Sequence, residues 1–335
     1  MFLSVWALLV PFASATAVVG YLPEWRYGSF NFYTTSAVYT HLIFFSLEPG
    51  PNGELWGMDR FPSNLVLLDA RAAQKRHGGA PKLMICFGGN GRSTHFGPVT
   101  ANAAKRATFV QNVKELVEKK KLDGVDINWE YPGFRFGQGY AADYEREWGQ
   151  LAQLMRDLRE ALPGKVLTMA YYPDGRQEQL LARLGVAESV DLMHAMSYDA
   201  SGPQHSTFEL AQTTMDNAAA AGLPMGKVSV GVPFYGRKGS EWITYEDIVQ
   251  RYKPLPANVD TIDGIGFNGR AMIARKARLA ARHGANLMVW EAGQDCRVAP
   301  VTRNDQTHGI TCPDGASDSL LRAIADALAA PKDEL

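Results

Sequence analysis

Cysteine is scarce in this chain, three in 335 residues, and no Cys/His grouping has zinc-site spacing; the seven His are scattered. No metal centre is expected, and no cofactor signature is present. No G-x-G-x-x-G follows the first apolar segment, which argues against a dinucleotide-binding open sheet. Charge of one sign is also lacking. The formal net charge is −1, so neither nucleic acid nor an anionic membrane is expected as a partner. The best basic cluster, Glu118-Lys119-Lys120-Lys121, follows apolar residues at Phe109, Val113, Leu116 and Val117. It reads as the solvated last turn of an amphipathic helix, where cations suit the dipole. No N-x-S/T sequon, internal repeat, low-complexity tract or interdomain linker occurs.

Both ends of the sequence carry address signals. Residues 1–12 are apolar and Ala15-Thr16-Ala17 offers an A-x-A cleavage site, so residues 1–17 are expected to be a secretory signal peptide. Its apolar stretch is short of the ~20 residues that span a bilayer, so stable membrane insertion is not expected. The last four residues, Lys332-Asp333-Glu334-Leu335, match an ER-retrieval tetrapeptide over 332–335. Together they imply residence in the endoplasmic reticulum lumen, with a retrieval receptor as a partner. Cysteine usage agrees with an oxidising lumen. Cys296 and Cys312 flank a loop rich in Pro, Asn, Asp and Gly that a disulfide could close, while Cys86 sits in an apolar strand as a buried free thiol.

Apolar segments of strand length recur at 18–22, 39–47, 82–87, 125–130, 166–172, 190–197, 228–234 and 286–290. Helical patterns fill most of the intervals, at 101–120, 140–161, 207–221 and 269–283, with 317–329 after the last strand. Eight buried strands alternating with helices predict a closed parallel (β/α)8 TIM barrel. It is expected to form one domain over 18–330, a monomer, with at most a short insertion (239–263) between the seventh and eighth strands.

Asp123-Gly124-Val125-Asp126-Ile127-Asn128-Trp129-Glu130 constrains the chemistry most. Val125, Ile127 and Trp129 alternate with Asp126, Asn128 and Glu130, the period of a strand. The three polar side chains then share one face at roughly 6.6–7 Å spacing. Unpaired buried charge is costly, so two acids and an amide on one face of an apolar strand suggest a catalytic row. A buried polar network that fixes the fold is the competing reading.

The octet resembles the D-x-x-D-x-D-x-E signature of glycoside hydrolase family 18, the chitinase family, with Asn128 where the third Asp is usual. Other strand ends are similar to further pieces of that pattern: Gly20-Tyr21; Cys86-Phe87-Gly88-Gly89, with Cys86 for the usual Ser; Met196-Ser197-Tyr198-Asp199; Gly231 through Arg237; and Met288-Val289-Trp290. The resemblance extends over most of 18–330 and implies a family 18-like catalytic domain there. It implies Glu130, Asn128, Asp126 and Tyr198 as catalytic residues, and Tyr21, Tyr131, Met196, Asp199, Arg237 and Trp290 as substrate-binding residues.

The implied chemistry needs one acid. Most glycosidases place two carboxylates about the scissile bond. In family 18 the substrate's own 2-acetamido oxygen attacks the anomeric carbon instead. Glu130 would protonate the leaving oxygen and later activate water, Tyr198 would hold the acetamido group, and Trp290 would pack under the sugar. Asn128 can accept the acetamido N–H but brings no charge to the cationic intermediate, a loss of roughly 1–2 kcal/mol. Without that negative neighbour Glu130 is expected to titrate lower than in a relative with Asp there, leaving little activity near neutrality. Cys86 removes a hydroxyl that supports Asp126, and Asn90 stands where many chitinases place a stacking Trp. The expected function is hydrolysis of β-1,4-linked N-acetylglucosamine in chitin oligosaccharides or the chitobiose core of N-glycans. A chitin-lectin-like binding protein with weak or no hydrolytic activity is the alternative, and the retained Glu130 favours the enzyme.

Overall fold

The computed structural model describes residues 16–330. Residues 1–15 and 331–335 lie outside it, and with them nearly all of the expected leader and the whole terminal tetrapeptide. Eight parallel strands form the centre: β1 (Val18–Pro23), β2 (His41–Pro49), β3 (Lys82–Gly88), β4 (Gly124–Asn128), β5 (Val166–Tyr171), β6 (Leu192–Ala195), β7 (Val228–Pro233) and β8 (Asn286–Trp290). Each pairs with its sequence neighbours, and β1 pairs with both β2 (Gly20 beside Leu42) and β8 (Val18 beside Leu287), which closes the barrel.

The near-continuous apolar strands follow from burial on both faces. Val19, Tyr21, Ile43, Met84, Cys86 and Met288 point into the barrel. Val18, Leu22, Leu42, Leu83, Val125 and Ile127 point outward, under the helices. Among those helices are Ala103–Lys119, Tyr144–Ala161, Phe208–Ala220, Arg270–Arg282 and Leu320–Ala329. Phe109, Val113, Leu116 and Val117 form the buried stripe of the first of these. Asn102 starts it by accepting from the Ala104 and Lys105 N–H groups, two donors with no partner inside the helix. No helix among the described residues is long and apolar enough to cross a membrane.

The structure departs from the sequence expectation at several elements, among them β6, which is shorter than 190–197, and an unexpected helix at Arg176–Arg183. The helix Asn64–Arg76 was not predicted, because Leu65 and Leu68 face solvent and blur its apolar stripe. β4 ends at Asn128, not 130. There Trp129 stacks on Phe96 with ring centroids 5.3 Å apart, and the Glu130 N–H goes to Ser93 Oγ at 3.1 Å, away from the strand ladder. The insertion between β7 and β8 is a small antiparallel sheet, with Tyr235–Lys238 and Glu241–Thr244 as its first hairpin and Ile265–Gly266 pairing beside them. After β8, Cys296 and Cys312 are joined by a disulfide and Cys86 is free and buried.

Candidate active site

The polar face of β4 runs from the barrel interior to its mouth, and each member has different partners. Asp126 is fully buried. It accepts from Tyr21 Oη at 2.9 Å and Thr168 Oγ1 at 2.7 Å, and the Cys86 thiol also bonds to it. Burial raises its pKa while those three donors oppose the rise. The loss of support expected from Cys86 therefore does not occur as a deficit: Thr168, on β5, supplies a hydroxyl that sequence reasoning had not singled out. Asp123, first acid of the octet, lies at the opposite end of β4 and accepts from Leu83 N–H and Gln74 Nε2 at 2.8 and 2.7 Å.

Asn128 is buried, and its Nδ2 donates to Glu130 Oε1 at 3.0 Å. Its Oδ1 is enclosed with no hydrogen-bond partner among the described residues. A buried orphan acceptor is expensive unless something bound there completes it. Glu130 keeps part of its surface open to a cleft, but its carboxyl is crowded. Burial raises its pKa to about 7; the Asn128 donor and the Asn90 backbone N–H oppose this, and Asp199 adds to it. Desolvation thus carries the Glu130 pKa toward neutrality even without a charge at 128, which removes the ground for expecting little activity there. Glu130 stays partly protonated near neutral pH, where an ordinary Glu is ionised.

The cleft, of about 330 Å³, is lined by Glu130, Asn128, Tyr131, Met196, Tyr198, Asp199 and Trp290, together with Trp25, Phe45, Asn90, Tyr172 and Trp242. Trp290 is wedged by Phe45 (4.8 Å, near perpendicular) and Tyr21 (5.6 Å). Tyr198 is buried, and among the described residues its hydroxyl has only the Met288 Sδ, at 3.8 Å. A thioether is a weak acceptor, so this donor is free for a better one. Asp199, at φ +59°, accepts from Tyr235 Oη at 2.8 Å and lies 3.4 Å from Arg237. Trp25 and Trp242, 55% and 53% exposed, present rings at the rim; sequence reasoning had passed over both. A larger hollow of about 840 Å³ adjoins the cleft through Asn90, Glu130 and Tyr131 and extends between the loops that follow β3 and β4.

Seven of the ten sugar-site residues inferred from the sequence therefore line one cleft. Tyr21 and Asp126 lie beneath it as a hydrogen-bonded pair, and Arg237 stands behind Asp199 with its guanidinium 5.1 Å from the Trp242 ring. The arrangement offers a carboxyl that titrates near neutrality, an amide oxygen and a phenol without strong partners among the described residues, and aromatic walls. It suits acid/base chemistry on a ligand with apolar faces and an amide-like group.

Comparison with known proteins points the same way. The family model described as Glycosyl hydrolases family 18 matches residues 17–295. Chitinase A1 of Niallia circulans is 29% identical over 186 residues, which cover 47% of this chain and 26% of that protein. Probable chitinase 2 of Drosophila melanogaster is 27% identical over 56% of this chain and 39% of its own length. The chain thus spans well under half of either relative. The Group IV chitinase of Ostrinia furnacalis superposes with a TM-score of 0.74 at 20% identity, covering 94% of this chain and 100% of that one. At that identity the superposition establishes the shared barrel.

Proposed function

The chain belongs to glycosyl hydrolases family 18, and on that premise we propose that it cleaves β-1,4-linked N-acetylglucosamine with retention, the substrate's 2-acetamido oxygen acting as nucleophile. The observation that carries this reading is Glu130, a carboxyl held to about 7 in an aromatic cleft. The other acids at the cleft are Asp126 beneath it and Asp199 and Glu291 in its lining, where Glu291 pairs with Arg26 at 2.8 Å. Asp126 is sealed beneath the cleft under Tyr21 and Thr168, and Asp199 is engaged by Tyr235 and Arg237. Family membership supports a substrate-assisted route: the substrate's acetamido oxygen takes the part that a second carboxylate plays in most glycosidases.

The steps assign each residue a task. Trp290 packs on the sugar at the reacting centre. The Tyr198 hydroxyl donates to the acetamido oxygen and aims it at the anomeric carbon, while Asn128 Oδ1 accepts the acetamido N–H. Glu130 gives its proton to the leaving oxygen as the C–O bond breaks, and the acetamido oxygen closes on C1. Water then attacks that carbon from the opposite face, Glu130 takes its proton back, and the acetamido group is restored. Two inversions leave the β anomer.

The test is incubation of purified protein with chitin oligosaccharides and, separately, with high-mannose glycopeptides, with the first-formed anomer read by NMR. An initial β product and no cleavage of cellulose oligosaccharides, which lack the acetamido group, are expected. An initial α product sinks the mechanism. Tight binding without turnover of either substrate would instead support the chitin-lectin-like alternative.

A further inference from the structure

Lys276, on the helix Arg270–Arg282, is wholly buried yet takes no part in the chemistry described above. Its three ammonium hydrogens meet three neutral acceptors: Ser206 carbonyl oxygen at 2.8 Å, Ser206 Oγ at 2.7 Å and Asn268 Oδ1 at 2.7 Å. Asp260 and Glu209 act on it only at longer range, and burial pulls its pKa down to about 7 against them. A buried ammonium with no carboxylate at hand is a poor way to gain stability, and an apolar residue of equal volume does as well or better. The charge is better explained by what its acceptors hold.

Those acceptors lead to the cleft in two hydrogen bonds. Ser206 Oγ, with a lone pair occupied by Lys276, directs its own hydrogen to the Ser197 carbonyl oxygen at 2.7 Å. That carbonyl belongs to the peptide unit preceding Tyr198. Asn268 Nδ2 donates to the Ser206 carbonyl at 2.7 Å, so the far end of the same loop is fixed at the same point. Between the two ends, Ala200 N–H donates to the His205 carbonyl at 3.0 Å and Asp199 N–H to His205 Nδ1 at 3.3 Å. The 197–206 loop is thus stapled at its base by one ammonium, which also grips the insertion through Asn268. The Tyr198 ring packs beside Tyr235 with centroids 6.4 Å apart, while its hydroxyl finds only the Met288 sulfur among the described residues.

We infer that Lys276 is a positioning residue for the reaction proposed above: through Ser206 it fixes the peptide unit that aims the Tyr198 hydroxyl at the acetamido oxygen. The inference rests on that reading of the site. It predicts a loss confined to the chemical step, because a misaimed phenol still leaves the aromatic walls to bind sugar.

The test is Lys276→Met in the full chain, which keeps the volume and removes the donors. Turnover of a chitin oligosaccharide should fall about 10- to 100-fold, the scale of a small misplacement of a reacting group, with KM and the thermal midpoint little changed. Tyr198→Phe completes a double-mutant cycle. In that background Lys276→Met should have almost no further effect on kcat, whereas a merely structural role would multiply through. Should Lys276→Met not fold, Ser206→Ala cuts the same link and should show the same kcat-only loss and the same non-additivity. Unchanged kcat, or full additivity with Tyr198→Phe, overturns the inference while leaving the hydrolase reading intact. A wild-type protein that hydrolyses neither chitin oligosaccharides nor glycopeptides overturns that reading, and this inference with it.

Discussion

The two ends of the barrel use the same residue types to opposite effect. At the end where the strands begin, Asp123 accepts from the Leu83 N–H of the neighbouring strand and from Gln74. Asp191 repeats the device one strand pair on, accepting from Leu167 N–H at 2.8 Å and Arg159 at 2.7 Å. Each ties adjacent strands together, with a side-chain donor completing the carboxylate. At the end where the strands finish, pairing is left incomplete. Among the described residues the oxygen of Asn128 is buried without a partner and the Tyr198 hydroxyl has only a sulfur, while burial drives Glu130 toward its neutral form. Satisfied acids are fastenings, whereas unsatisfied groups in a cleft await a ligand. Asp126 lies between these extremes, buried like the site but bonded like a fastening.

Changing Glu130 should produce the largest effect. Glu130→Gln keeps the shape but cannot deliver a proton, so kcat should fall by about 10³-fold or more. Oligosaccharide affinity, measured by calorimetry, should stay near the wild-type value. Wild-type turnover in this variant would remove Glu130 from the mechanism.

The same substitution tests the electrostatics through stability. The folded-state pKa of about 7 lies above the ordinary 4.5, so the wild-type fold is favoured below pH 4.5 and loses that advantage as pH rises through 7. Gln does not ionise. Glu130→Gln should therefore match the wild type near pH 4 and exceed its stability near pH 8 by up to about 3 kcal/mol. Urea unfolding at the two pH values measures this, and equal midpoints at pH 8 would show that the carboxyl is better solvated than its surroundings imply.

Asp123→Ala is the control from the other end. It leaves the Leu83 N–H without its acceptor and Gln74 with the Pro81 carbonyl alone, which should cost about 1–3 kcal/mol of stability. The kcat of folded protein should not change. A drop in kcat at unchanged KM would mean that the two ends of the barrel are not as separate as their hydrogen bonds suggest.

How much of this was legible in the sequence follows from the same contrast. Strand periodicity and the octet gave the barrel and the face of β4, because alternation is a local property of the chain. Seven candidate residues converge on one cleft because strand ends in a parallel barrel are brought together by topology. What the sequence hid were partners distant along the chain. Thr168 supports Asp126 from β5, 42 residues away, and Lys276 reaches Ser206 across 70. Neither carries a motif, since a hydroxyl or an amine gains its role only from what folding places beside it. The height of the Glu130 pKa is hidden for the same reason. A missing charge at 128 can be read from the chain, but the depth of burial cannot.

Asn128→Asp should give the smallest change and the sharpest one. In the wild type, the Asn128 amide donates to Glu130 Oε1 and favours the ionised acid, partly offsetting burial. Asp at this position removes the donor and adds a negative neighbour, and both changes raise the Glu130 pKa. Because Glu130 acts as a proton donor, activity is lost above its pKa, and the alkaline limb of kcat/KM for the free enzyme should lie near pH 7 in the wild type. In the variant it should move upward by about one unit, with the two carboxyls titrating as a coupled pair. Turnover at the optimum should rise up to about tenfold, since an anion beside the cationic intermediate strengthens what the neutral amide now does weakly. Profiles of both forms on one chitin oligosaccharide decide it. A limb that stays in place while turnover falls would mean that the donor from Asn128, rather than the vacant oxygen beside it, is what this site depends on.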